Sequence, residues 1–213
     1  MSHLVLLGDS IFDNAAYTDG GPDVVSQLCE ALPSGWTASL RAVDGSTTDD
    51  ISRQVGGLPA DATHLVLSVG GNNALQAASV LGIPASSAAQ AVGYLADKAS
   101  EFERSYRLAV KACLRPGLPL TVCTIYNGCF PDPEYQRILS TALTVFNDTI
   151  LRVAIEHRLP VIDLRTICTS PEDYANPIEP SSVGGEKIAR VVAGLVTGSN
   201  LYDGATRIIG VQP

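Results

Sequence analysis

Short apolar runs alternate with longer amphipathic stretches along the chain. The runs are Leu4–Leu7, Ala38–Val43, His64–Val69, Leu118–Ile125 and Pro160–Leu164. Most are rich in Val, Ile and Leu, and none alternates cleanly with polar residues, as expected of strands buried on both faces of a parallel sheet. Helices are predicted over Gly21–Leu32, Thr48–Val55, Ser86–Leu114, Pro133–His157 and Ser181–Thr197. In the third of these, Ala88, Ala91, Val92, Leu95, Ala99, Phe102, Tyr106 and Val110 recur at steps of three and four, which is one helix face. In the last, Val183, Ile188, Val191, Val192 and Leu195 do the same. Strict alternation of strand and helix predicts a three-layer α/β/α sandwich on a parallel sheet. No repeat or linker interrupts it, so residues 1–213 are read as one domain. Ile208-Ile209, in the tail after Gly198, are read either as an edge strand or as a cover for a helix.

Composition narrows the partners. The chain has 213 residues, 46% apolar and 17% charged, which excludes a disordered or coiled-coil protein. Its net charge is −8, which speaks against nucleic acid and anionic membrane, since phosphate binding needs a basic surface. No apolar run is read as approaching the ~20 residues of a membrane span. Leu4–Leu7 is too short for a leader, so a cytoplasmic location is expected. The five cysteines are an odd number with no CxxC pair. Buried free thiols are expected, with no metal and no cofactor.

In such folds ligands gather beyond the carboxyl ends of the strands. The segments there are Gly8-Asp9-Ser10, Asp44-Gly45-Ser46, Gly70-Gly71-Asn72-Asn73, Tyr126-Asn127-Gly128 and the loop from Arg165 to Pro180. Ser10, at a strand-to-loop turn, is a candidate nucleophile as well as an ordinary turn residue. Acyl transfer needs donors aimed at a developing oxyanion. A glycine lets its N–H approach closely, and an asparagine amide adds another donor. Ser10, Gly45 and Asn72 together could supply three.

With those residues the chain resembles the SGNH, or GDSL, hydrolases, which are serine esterases and lipases on a flavodoxin-like fold. Val5–Asn14, with Gly8-Asp9-Ser10, resembles the block that carries the nucleophile. Gly45 stands where the second-block glycine does, and Leu67–Leu75, with Gly70-Gly71-Asn72-Asn73, resembles the third block. The resemblance implies a five-stranded parallel sheet of order 2-1-3-4-5, a small-molecule ester as substrate, and an oxyanion hole from Ser10 N–H, Gly45 N–H and the Asn72 side chain. The family's last block, Asp-x-x-His, is replaced here by Asn176-Pro177-Ile178-Glu179. Glu179 thus stands in the place of the histidine base and Asn176 in that of the aspartate, while Asn73 replaces the third block's usual aspartate.

None of the three histidines is expected to serve instead. His3 lies along a strand up to roughly 23 Å from Ser10, and His64 and His157 fall at the amino-terminal edge of the sheet. A carboxylate can act as general base, but its reference pKa is about 2 units below that of histidine, or roughly 3 kcal/mol of driving force. Burial could recover part of it. Two readings of Glu179 stand side by side: a base oriented by a hydrogen bond from Asn176, or a charge favourably set before the last helix. Asp9 is expected to support the serine turn, and Asp9, Asp13 and Asn73 are read as lining the substrate mouth. The corresponding functions are an esterase using Ser10, Gly45, Asn72, Glu179 and Asn176, or a weakly active or inactive protein that binds an acyl, sugar or carboxylate ligand. A flavin binder rests on the fold alone.

Overall fold

The computed structural model describes residues 1–198. Ile208-Ile209 lie outside the described residues. Five strands, β1 (Ser2–Gly8), β2 (Trp36–Leu40), β3 (His64–Ser68), β4 (Leu120–Cys123) and β5 (Val161–Ile162), form one parallel sheet of order β2-β1-β3-β4-β5. The helices are α1 (Val24–Ala31), α2 (Ile51–Gly56), α3 (Gly71–Ala77), α4 (Ala88–Leu114), α5 (Pro133–His157) and α6 (Ser182–Thr197).

The apolar runs of β1 and β3 serve two cores. Leu4 and Leu6 of β1 and Val66 of β3 pack with Val24, Leu28, Ile188 and Val192 of α1 and α6. Val5, Leu7, Leu65 and Leu67 point the other way, onto Ile51, Phe102, Val110, Phe146 and Ile150 of α2, α4 and α5. Successive side chains of a strand face opposite sides, so a run apolar at every position needs helices on both faces. Side-chain caps start the long helices: Ser87 accepts from Gln90 N–H, Asp132 from Glu134 and Tyr135 N–H, and Ser181 from Gly184 N–H. Helix α5 follows Asp132 with Pro133, whose missing N–H costs nothing there.

The sequence reading needs four corrections. First, β2 starts at Trp36 and ends at Leu40, because the amides of both Arg41 and Ala42 turn onto the single carbonyl of Leu6, at 2.8 and 3.0 Å. Second, residues 71–82, over which no helix is predicted, form α3 and a 3-10 turn over Ala78–Gly82. Third, α5 is long and apolar enough to cross a membrane by length and composition. Here it packs on the sheet through Phe146, Ile150 and Val153, while its Arg152 pairs with Glu103 of α4. Fourth, of the thiols expected to be buried, Cys29 is exposed and Cys129 half-buried.

Candidate active site

The site begins with backbone geometry. Gly8 ends β1 at φ +129°, beside Ser68 at the end of β3. A Cβ on Gly8 would lie 1.7 Å from the Ser68 carbonyl oxygen, so only glycine fits. Buried Gln54 of α2 grips the same peptide edge, accepting from Gly8 N–H and donating to Gly8 C=O, each at 2.8 Å. The chain then turns sharply: the amides of Phe12 and Asp13 both donate to the carbonyl of Asp9, at 3.2 and 3.1 Å. Ser10 sits at the head of this turn and lines a cleft.

That cleft lies between α3, α4, α5 and the loop after β4. Asp9, Ser10, Asn72 and Glu179 line it together. The Ser10 hydroxyl stands close enough to the Glu179 carboxylate to stabilise its charge, and Glu179 Oε2 is buried without a partner. The Asn72 amide donates one hydrogen bond to the Ser46 carbonyl at 2.9 Å. An NH2 group has two donors, so a second remains for a ligand. Among the described residues, the amides of Ser10 and Gly45 bond to no other residue. Gly45 lies in an exposed turn at φ +77°, closed by Ser46 N–H to Val43 C=O at 3.1 Å.

Glu179 is carried by a loop braced along its backbone. The Tyr126 hydroxyl donates to Ile178 C=O at 2.6 Å, Cys129 N–H to Pro177 C=O at 2.8 Å, and Asn14 to Pro180 C=O at 3.2 Å. Asn176 acts differently from the expectation. Its Oδ1 accepts the amides of Ile178 and Glu179, at 2.9 and 3.0 Å, so it shapes the turn and donates nothing to the Glu179 carboxylate. It does not line the cleft.

Two residues expected at the substrate mouth make hydrogen bonds within the fold and do not line the cleft. Asn73 accepts from Thr48 N–H and donates to Thr48 Oγ1, both at 3.1 Å, tying α3 to the segment after β2. Asp13 accepts from Asp44 N–H at 2.9 Å and so holds the Gly45 turn. Asp9 lines the cleft, and it also braces the serine turn by accepting from Ile11 N–H at 3.2 Å. None of the histidines lines the cleft; His3 bonds to Asp61 and Ser39.

Burial governs the electrostatics. It pushes the Asp9 carboxyl up to about 7; Ile11 N–H opposes the rise and the charge of Glu179 adds to it. Burial also raises Glu179 above the usual glutamate value, with the Ser10 hydroxyl pulling it down and Asp44 pushing it up. At the mouth, the Tyr17 hydroxyl bonds to Asp44 at 2.7 Å, which raises the phenol to about 12. Sequence reasoning missed Gln54 and Tyr126 as supports of the site. For Tyr126 a signal existed, since it follows directly after a strand that ends at the ligand edge; for Gln54 there was none.

A serine thus follows the first strand, a glycine turn the second and an asparagine the third, with a carboxylate before the last helix. Residues 6–184 match the model of the GDSL-like lipase/acylhydrolase family, and the chain belongs to that family. Among solved structures, an extracellular lipase from Streptomyces rimosus matches with a TM-score of 0.65 at 14% identity, covering 94% of this chain and 100% of that one. A carbohydrate acetylesterase from Sinorhizobium meliloti matches at 0.64 and 12%, covering 93% and 99%. A lipase/acylhydrolase from Enterococcus faecalis matches at 0.64 and 20%, covering 93% and 96%. At these identities the likeness shows a shared fold. Comparison with curated protein sequences gives no match.

Proposed function

We propose that the protein hydrolyses carboxylic esters, with Ser10 as nucleophile and Glu179 as general base. The observation that carries this reading is the placing of Ser10, Asn72 and Glu179 together in one largely apolar cleft, with the Ser10 hydroxyl beside the Glu179 carboxylate. Glu179 takes the Ser10 proton as Oγ bonds to the ester carbonyl carbon. The oxyanion is met by Ser10 N–H, Gly45 N–H and the free N–H of Asn72. As the C–O bond to the alcohol breaks, Glu179 returns the proton to the leaving oxygen. Water then gives a proton to Glu179 and its oxygen attacks the acyl carbon, releasing the acid and restoring Ser10.

Glu179 replaces the family's histidine at a weaker intrinsic basicity. Burial, which raises its pKa, supports the replacement. Asn176 positions it through the backbone. A ligand-binding protein without turnover is the alternative, though two buried carboxylates make the cleft unfavourable to a carboxylate ligand.

Intact-mass analysis after exposure to a small fluorophosphonate tests the reading. One adduct is expected on the wild type and none on Ser10→Ala. Labelling of Glu179→Gln should be slower by about 100-fold or more, the usual worth of a general base. A folded wild type that takes no label, or Glu179→Gln labelled at the wild-type rate, would overturn it.

A further inference from the structure

We infer that the cleft is an acyl pocket, and that the preferred substrates are esters of linear apolar acids several carbons long, with an uncharged or cationic alcohol part. This rests on the hydrolase reading and names its substrate class. Beyond Ser10 the walls are formed by Leu75 and Leu81 after β3, Leu95 of α4, and Leu139, Leu143 and Phe146 of α5. Among the described residues, no charged side chain other than Asp9 and Glu179 lines the cleft, and both stand at the Ser10 end. An acetyl group would leave this apolar surface wet, whereas a longer chain would cover it.

Two features assign the acyl half, and not the alcohol half, to the pocket. The acyl-enzyme holds its acyl group on Ser10 while water replaces the alcohol, so the alcohol side must open to solvent. The polar side of Glu179 does so: Asp44 and Gly45 are exposed there, and Asp13 and Tyr17 are half-buried. Asp13, Asp44 and Glu179 make that side acidic, which repels an anionic alcohol part such as a phosphate ester.

The test is kcat/KM for a series of aryl esters from acetate to dodecanoate, with the full chain. A rise of about fourfold per added methylene is expected over the first several carbons, the worth of burying one CH2, followed by a plateau. Ala142→Phe and Ala77→Phe fill the cleft from α5 and from α3, where both alanines are half-buried. Either should cut turnover of long-chain esters by about 30-fold or more and leave acetate within about threefold. A flat series, a preference for acetate, or equal loss at every length overturns the inference.

Calorimetric titration with methyl ketones of rising length, which carry a carbonyl but no leaving group, separates the two levels. Long ketones that bind the wild type and not Ala142→Phe, in a protein that cleaves no ester, would uphold the pocket and overturn hydrolysis. Ester cleavage without chain-length dependence in either assay would do the reverse.

Discussion

Replacing Asp9 by asparagine should make the protein more stable in alkali relative to the wild type. Asp9 is buried, and burial pushes its carboxyl up to about 7 in the fold from an ordinary value of 3.8. Between those values the unfolded chain has released its proton while the folded chain keeps it. The folded state then binds more protons, so wild-type stability falls as pH rises from about 4 to about 7 and is level beyond. Three pH units at about 1.4 kcal/mol each amount to roughly 4 kcal/mol. Asparagine keeps an oxygen for Ile11 N–H and carries no charge. Its NH2 would stand where the buried carboxyl's second oxygen is now, so the variant should lose about 1–2 kcal/mol at pH 4. The assay is urea unfolding of both proteins from pH 4 to pH 9. The difference in stability should swing by about 4 kcal/mol towards the variant across that range. Parallel profiles would refute the claim that the fold holds this carboxyl neutral.

Other outcomes follow from the same geometry. The rate of ester cleavage should fall with acidity through a value above 4.5, because Glu179 must be ionised to act as base and its burial raises that value. In Glu179→His the limb should move towards about 6.5; an unmoved limb in that variant would assign the base elsewhere. Gln54→Ala strands the N–H and C=O of Gly8 in the interior, so urea unfolding should show a loss of about 2–5 kcal/mol. A loss under 1 kcal/mol would mean that water replaces the amide.

The sheet and the long helices were legible in the sequence because each obeys a local rule. Buried strands read as unbroken apolar runs, and α4, α5 and α6 carry an apolar stripe behind a capping residue. Helix α3 obeyed none. It opens with Gly71-Asn72-Asn73, poor helix formers, and has no side-chain cap. Its support is distant: Asn73 bonded to Thr48, and Asn72 to Ser46. The end of β2 was misplaced because Ala42 and Val43 are as apolar as strand residues, and only the Leu6 carbonyl shows where pairing stops. Ser10, Asn72 and Glu179 could be nominated from the family resemblance. Their shared cleft could not be read from spacing, since it depends on the loop before α6 folding back onto Tyr126 and Cys129.

The bracing of that loop has a wider consequence. Its grip is on carbonyls and amides of residues 176–180 and on neighbouring side chains, so the loop's path is indifferent to what residue 179 carries. Position 179 is therefore a socket. On the proposed mechanism, a glutamate there can be exchanged for another proton acceptor by a single codon change, without rebuilding the frame that holds it beside Ser10. A lineage built on this scaffold can retune its working acidity one residue at a time, and an engineer can do the same.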